Sequence, residues 1–194
     1  MMKGLRSDAI RVPVLRGEIK KAADEGVRRN LLAIDGMLRN TYGRTEPAWN
    51  LNIEGIGGEL VCCRYFGLDW NDSGPRNRDG VKAPDSKCGV EVRTVWPHDK
   101  RLIVHDDDVD ERPFVLMAGQ LAQLEFWVQG WMFAHEIKQQ RKWWADPQRT
   151  NRWAFFVPAK ELRSAASFYE YLKKRDALRA ARTEYGLPLA GWTA

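Results

Sequence analysis

The chain has few of the residues that build a stapled scaffold or a zinc site. Three cysteines (Cys62, Cys63 and Cys88) and three histidines occur in 194 residues. Three cysteines make no disulfide framework, and none stands in a Cys-x-x-Cys pair, so neither a disulfide-bound secreted fold nor a zinc ribbon is expected. His135-Glu136-Ile137-Lys138-Gln139 begins like a zinc-protease helix but has Gln where the second His must be. No apolar run approaches the ~20 residues of a membrane span. The opening Met1-Met2-Lys3-Gly4-Leu5-Arg6 leads into no hydrophobic signal region. The expectation is an intracellular, cytoplasmic protein without a membrane partner. Internal repeats and low-complexity segments are also missing. The acidic run Asp106 to Glu111 lacks the glycine a calcium loop needs at its sixth position and has Met117 where the closing Glu belongs. It is expected to be a solvated hairpin connection.

What is present describes one ordinary globular domain over residues 1–194. Hydrophobic residues at 44% and charged residues at 29% are enough for one buried core, and the length is short for two. A net charge of +5 is compatible with a polyanionic partner. Residues 1–13 carry no periodic pattern and are expected to be flexible. From Leu15 the positions Leu15, Ile19, Ala22, Ala23, Val27, Leu31, Ile34 and Leu38 recur at helical spacing, with Lys20, Lys21, Arg28 and Arg29 on the other side. That basic side is either a solvated face or a surface for backbone phosphates.

A second helix is expected over 53–66. Its glycines at 55, 57 and 58 each weaken a helix by about 1 kcal/mol against Ala, which close packing on a sheet would offset. A phosphate-cradling loop is the rival, but the Gly-Lys-Ser/Thr ending and a preceding strand are missing. Strands are expected at 90–95, 101–105, 113–117, 126–137 and 154–158. The 126–137 strand is apolar on both faces and so belongs mid-sheet. A closing helix with a tail is expected over 160–194. The order fits an α/β class with a mixed central sheet flanked by helices.

The chemistry concentrates between Gly80 and Val95. On a strand Glu91 and Arg93 point one way while Val90, Val92 and Thr94 point the other. Asp85 lies just upstream. Two carboxylates and a cation are the parts a Mg²⁺-assisted attack on a phosphodiester needs.

Pro84-Asp85, five residues, then Glu91-Val92-Arg93 resembles the PD-(D/E)xK nuclease motif, with Arg where Lys is usual. Residues 53–68 look like the first core helix of that superfamily, with Glu59 at its acidic position. The resemblance covers roughly residues 50–157. It implies a restriction-endonuclease-like core whose motif strands form a hairpin beside that helix. It also implies a deoxyribonuclease in which Asp85, Glu91, Glu59 and the Val92 carbonyl hold Mg²⁺ (or Mn²⁺), with Asp79 as reserve ligand. Small members of the superfamily point to a phage or mobile-element source. Arg93 keeps the charge and can clamp a phosphate, but it is a poor proton acceptor. That departure keeps open a rival, a weakly active or inactive nucleic-acid-binding protein on the same scaffold. DNA is the expected partner, single strands included. Lys138, Arg141, Lys142, Trp143, Arg149 and Arg152 interleave cations with flat rings, as backbone attraction and base stacking require.

Overall fold

Strand β4 (Pro113–Gln120) is buried along its first seven residues, which a sheet allows only where both faces are covered. The computed structural model describes residues 5–35, 49–71, 84–96, 101–147 and 153–184. In it β4 lies inside a four-stranded sheet with β1 (Ile10–Pro13), β2 (Glu91–Val95) and β5 (Glu125–Phe133), ordered β1-β5-β4-β2. The β2–β4 pair is parallel and the other two pairs are antiparallel, so the sheet is mixed. Strands β3 (Arg101–Val104), β6 (Trp144–Ala145) and β7 (Ala154–Pro158) form a second, antiparallel sheet in the order β3-β7-β6. The described helices are α1 (Arg16–Asp35), α2 (Trp49–Phe66), α3 (Ala134–Lys138) and α4 (Ala165–Glu184).

The two faces of β4 build two cores. Val115 and Met117 pack with Ile56, Leu60 and Val61 of α2 and with Phe168 and Leu172 of α4. Phe114, Leu116 and Ala118 pack with Leu102, Val104, Phe155 and Val157 of the second sheet. The mixed sheet is therefore covered by helices on one face and by the second sheet on the other.

Several expectations need correction. The described residues form two sheets, not one central sheet. The expected hairpin of motif strands does not form: β2 pairs with β4, and β3 pairs with β7. Residues 1–13, expected to be flexible, contain β1, which pairs with the outer edge of β5. The strand expected to run to Ile137 stops at Phe133. There Glu136 accepts the Phe133 N–H at 3.2 Å and the Ala134 N–H turns to the Arg112 carbonyl, so the chain enters α3. A bulge opposite Leu116 and Met117, with Gly130 at φ 143°, reverses the alternation within β5. Trp131 thus joins Phe126 and Val128 in the helix-side core, and Met132 goes to the other. The final helix starts at Ala165, five residues later than expected, after Ser164 Oγ accepts the Ser167 N–H.

The buried face of α1 also differs. Ala22, Gly26 and Asn30 face inward, whereas Leu15, Val27 and Leu31 are exposed. The reason is a close crossing of α1 and α2: a Cβ on Gly26 would meet Ile53 Cγ1 at 2.5 Å. Asn30 bridges that crossing, accepting from Asn52 Nδ2 at 2.8 Å. Arg29, expected among the solvated or phosphate-facing cations, is turned inward by the same geometry and reaches Glu25 and Glu59.

The glycines of α2 largely follow the close-packing expectation. A Cβ on Gly58 would lie 2.0 Å from Thr94 Oγ1, and one on Gly57 would lie 2.8 Å from Leu121 Cδ2. Gly55 meets nothing within 4 Å, and nothing in the packing explains it.

Candidate active site

Strand β2 is the edge of the mixed sheet, so among the described residues one of its edges has no neighbouring strand. The turn before it closes that edge. Ser86 Oγ accepts the Val90 N–H at 2.9 Å, and Asp85 Oδ2 accepts the Val92 N–H at 2.6 Å. The N–H and C=O of one residue on an extended strand point to the same edge, so the Val92 carbonyl faces the side on which Asp85 sits. The Asn71 N–H donates to the Asp85 carbonyl at 3.0 Å, tying residues 69–71 to this turn.

The alternation read from the sequence holds. Val92 and Thr94 face α2, and Thr94 Oγ1 donates to the Gly55 carbonyl at 3.3 Å. Glu91 and Arg93 face the second sheet, with the Arg93 guanidinium over the Phe114 ring at 4.8 Å. Glu59 is on the helix side, and Asp85 sits at the strand edge between the two.

Glu91 is buried and doubly paired, by Arg112 Nη1 at 2.7 Å and Arg93 Nη1 at 3.2 Å. Arg93 Nη2 reaches both oxygens of buried Asp108 at 3.1 Å, and its Nε donates to the Ile103 carbonyl at 3.3 Å. Burial opposes the Arg93 charge, but Glu91, Asp108 and Asp85 more than offset it and raise its pKa. Every nitrogen of this guanidinium is therefore committed inside the protein. Asp108 also accepts the His105 N–H at 2.9 Å. The acidic run 106–111 is thus no solvated hairpin: it joins strands of different sheets and plants a carboxylate in the core.

On the other side Glu59 is buried, with Trp70 Nε1 at 3.0 Å and Arg29 nitrogens at 3.4 and 3.5 Å. Lys21 Nζ lies over the Trp70 ring at 4.5 Å.

Asp85 feels both sides. Its enclosed carboxyl is pushed well above the usual aspartate range by burial first, then by Glu59 and Glu91; Arg93 and the Val92 N–H pull the other way and lose. Burial, Asp85 and Glu59 also push the Cys63 thiol far up, leaving it protonated and unreactive. The three expected carboxylates are thus in one electrostatic neighbourhood. Among the described residues, however, no three Asp, Glu, His or Cys side chains are gathered so as to share a metal ion.

Sequence reasoning missed Asp108 and Arg112, which complete the Glu91–Arg93 network. The only available signal was chemical: an Arg buried on a strand beside one Glu needs more than one carboxylate. Of the residues expected to bind nucleic acid, Lys138 is tied to the acidic run, donating to the Asp106 and Asp108 carbonyls and to Asp110 Oδ1. Arg141 and Lys142 are exposed, and Lys142 Nζ lies 5.0 Å from the half-buried Trp143 ring. Arg149, Arg152 and the reserve ligand Asp79 lie outside the described residues.

No family model, curated protein or solved structure matches the chain. Among the described residues no helix is long and apolar enough to cross a membrane.

Proposed function

We propose that this chain is a divalent-cation-dependent deoxyribonuclease on a restriction-endonuclease-like variant of the mixed α/β fold. One observation carries the reading. The half-buried Asp85 carboxyl faces Glu59 and Glu91, and its desolvation with these two acids outweighs the cations Arg93 and Arg29 that also face it. Such a group holds either a proton or a cation. The donors are all oxygens, which suits a hard ion such as Mg²⁺ or Mn²⁺. Asp85, Glu59 and the Val92 carbonyl would hold it, and when bound the ion supplies Lewis acidity toward a phosphodiester and a more acidic water.

The chain's own residues do the positioning. The Val92 N–H fixes the rotation of the Asp85 carboxyl. Trp70 and Arg29 orient Glu59. Glu91 adds negative field toward Asp85 while Arg93 and Arg112 hold it in place. Arg93 is here a positioning residue, because its donors are taken by Glu91, Asp108 and Ile103.

That commitment of Arg93 is also the observation favouring a second reading, a nucleic-acid-binding protein on the same scaffold without catalysis. Single-turnover cleavage of a labelled duplex and its single strand separates the two. The nuclease reading expects cleavage with Mg²⁺ or Mn²⁺, its arrest by EDTA, and a loss on the order of 10²-fold or more in Asp85→Asn. Salt-dependent DNA binding without cleavage by any divalent ion would move the chain to the second reading. Full activity in Asp85→Asn would remove the site.

A further inference from the structure

At the β6 edge of the second sheet a row of aromatic rings leads out of the core. Trp144 of β6 faces Phe155 of β7 across the strand pair, with ring centroids 4.7 Å apart. Trp153 precedes β7 and stands two residues from Phe155, so it points to the same face. It stacks on Trp144, with centroids 6.0 Å apart and planes 20° from parallel. Phe155 is buried, Trp144 is half-buried and Trp153 is 50% exposed. The row starts in the core and ends in solvent.

The outermost ring has a free face. Among the described residues Trp144 is the only ring or cation stacked on Trp153, so one side of that indole is backed and the other is open. Trp143 offers no such face, since the core lies on one side of it and Lys142 on the other. The turn Arg141–Trp143 packs against β7 beside the row. Arg141 on that turn is exposed and has no hydrogen-bonding or ionic partner among the described residues. A flat open ring and an unpaired guanidinium on adjoining segments are complementary to a base and a phosphate. An apolar partner covering the ring would instead bury Arg141 without a counterion, which is costly.

We infer that Trp153 is a stacking platform for one unpaired base of single-stranded nucleic acid, with Arg141 holding a neighbouring phosphate. Bases inside a duplex are stacked above and below, so only an unpaired base has a face to offer. Stacking of this kind is tolerant of sequence, because every base has a π-face. Trp144 and Phe155 hold the ring in place, so little side-chain freedom is lost when a base lands on it. The platform shares no residue with the Asp85 cluster: it holds the strand and takes no part in the chemistry. This deepens the nucleic-acid reading above and rests on it only for the class of ligand.

The test is equilibrium filter binding of the full chain in EDTA to three labelled DNAs: oligothymidine, an abasic strand of equal length and a long duplex. Expected is tighter binding of oligothymidine than of the abasic strand, by about tenfold or more. Trp153→Ala should remove that advantage while leaving the abasic strand and the duplex as they were. Trp153→Phe keeps a ring and should keep part of the advantage. Arg141→Ala should weaken both single strands and lower their salt slopes by about 0.7. Should Trp153→Ala not fold, a partial loss in Trp153→Phe decides in its place. Equal affinity of wild type for the two strands, or oligothymidine affinity unchanged in the Trp153 variant, overturns the inference. It also falls if Trp153→Ala alters the sedimentation of the free chain and not its oligothymidine affinity, since the ring is then a contact between copies. Failure to bind oligothymidine with duplex binding intact removes the platform alone, and failure to bind either removes the nucleic-acid reading with it.

Discussion

Two groups of buried charge lie on either side of strand β2, and they are in opposite states. On the second-sheet side Glu91 and Asp108 face Arg93 and Arg112, two acids against two cations, with hydrogen bonds of 2.7 to 3.2 Å between them. On the edge and helix side Asp85 faces Glu59 and Glu91, and the cations Arg93 and Arg29 and the Val92 N–H do not offset its desolvation. A motif that is contiguous in sequence, Asp85 to Arg93, is therefore divided by the strand into a neutralised half and a charged half. Buried ions that are fully paired contribute rigidity and take up no ligand. Buried ions left short of countercharge are where a cation or a proton is drawn in. The difference indicates which half of the motif is available for chemistry.

The largest expected effect comes from breaking the neutralised half. Arg93→Ala leaves Asp108 in the core without its two-pronged partner and Glu91 with one arginine instead of two. Removing one member of a buried pair is strongly destabilising, by about 3–5 kcal/mol, and urea unfolding should show it. Arg93→Lys should lose less than Arg93→Ala, since the positive charge stays in the core, but still lose some stability because an ammonium lacks the planar fork that meets both oxygens of Asp108. A loss below about 1 kcal/mol in Arg93→Ala would mean that the network is not a closed buried unit.

Asp85→Asn should act in the opposite direction. The Asn oxygen still accepts the Val92 N–H, while the negative charge facing Glu59 and Glu91 disappears. In EDTA at neutral pH the variant should gain roughly 1–3 kcal/mol, or about 2–4 °C per kcal/mol in Tm. The pH dependence follows from the raised folded-state pKa. The native protein binds this proton more tightly than the unfolded chain, so Asp85 penalises folding least below the ordinary aspartate value of about 4. The penalty grows as pH climbs from there to the raised value. The advantage of Asp85→Asn should therefore vanish in acid. The charges facing Asp85 are Glu59, Glu91, Arg93 and, on α1, Arg29, so Glu59→Gln should reproduce part of the gain. Adding Mg²⁺ at about 100 times its Kd should stabilise wild type by about 2.7 kcal/mol and leave Asp85→Asn unmoved. Equal shifts in both proteins would place the ion elsewhere.

How much of this was legible in the sequence follows the range of the interactions. The facing of Glu91 and Arg93 is a property of one strand, and period-two alternation read it correctly. The burial of β5 on both faces in mid-sheet was legible for the same reason, whereas that of β4 was not read from the sequence. The partners of Glu91 and Arg93 were not, because Asp108 and Arg112 lie 15 to 21 residues further on and arrive only through the pairing of β4 beside β2. The second sheet was hidden in the same way, since nothing in Arg101 to His105 says that it will pair with Ala154–Pro158 and not with β2. The bulge at Gly130 reversed a correct local pattern, and only its φ reveals it. Arg29 looked solvated on a helical wheel because the α1–α2 crossing at Gly26 rotates the helix relative to its apolar stripe. The raised Asp85 pKa depends on groups from α1, α2 and β2 meeting at one turn, and no window of sequence contains them all.

The smallest effects sharpen the comparison from the helix side. Gly58 lets α2 approach β2 closely: an added Cβ would lie 2.0 Å from Thr94 Oγ1 and 3.0 Å from Thr94 Cβ and Cγ2. Gly58→Ala must push α2 or Thr94 aside at about 1–3 kcal/mol, against a helix-propensity gain of up to about 1, for a net loss near 1. That displacement moves Glu59, the next residue, away from Asp85 but leaves Glu91, Arg93, Asp108 and Arg112 on the far face untouched. The variant should therefore weaken Mg²⁺-dependent stabilisation. Thr94→Ala in the same chain removes Oγ1 and Cγ2 from the clash and should restore part of both losses, a coupling that a double-mutant cycle measures directly. Gly55 supplies the control. Nothing lies within 4 Å of its added Cβ, so Gly55→Ala should gain about 0.5–1 kcal/mol and leave the Mg²⁺ response alone. If Gly55→Ala and Gly58→Ala shift stability equally, or if Thr94→Ala fails to rescue the latter, close contact between α2 and β2 is not what sets the position of Glu59. The charged half of the motif would then owe its state to the Asp85 turn alone.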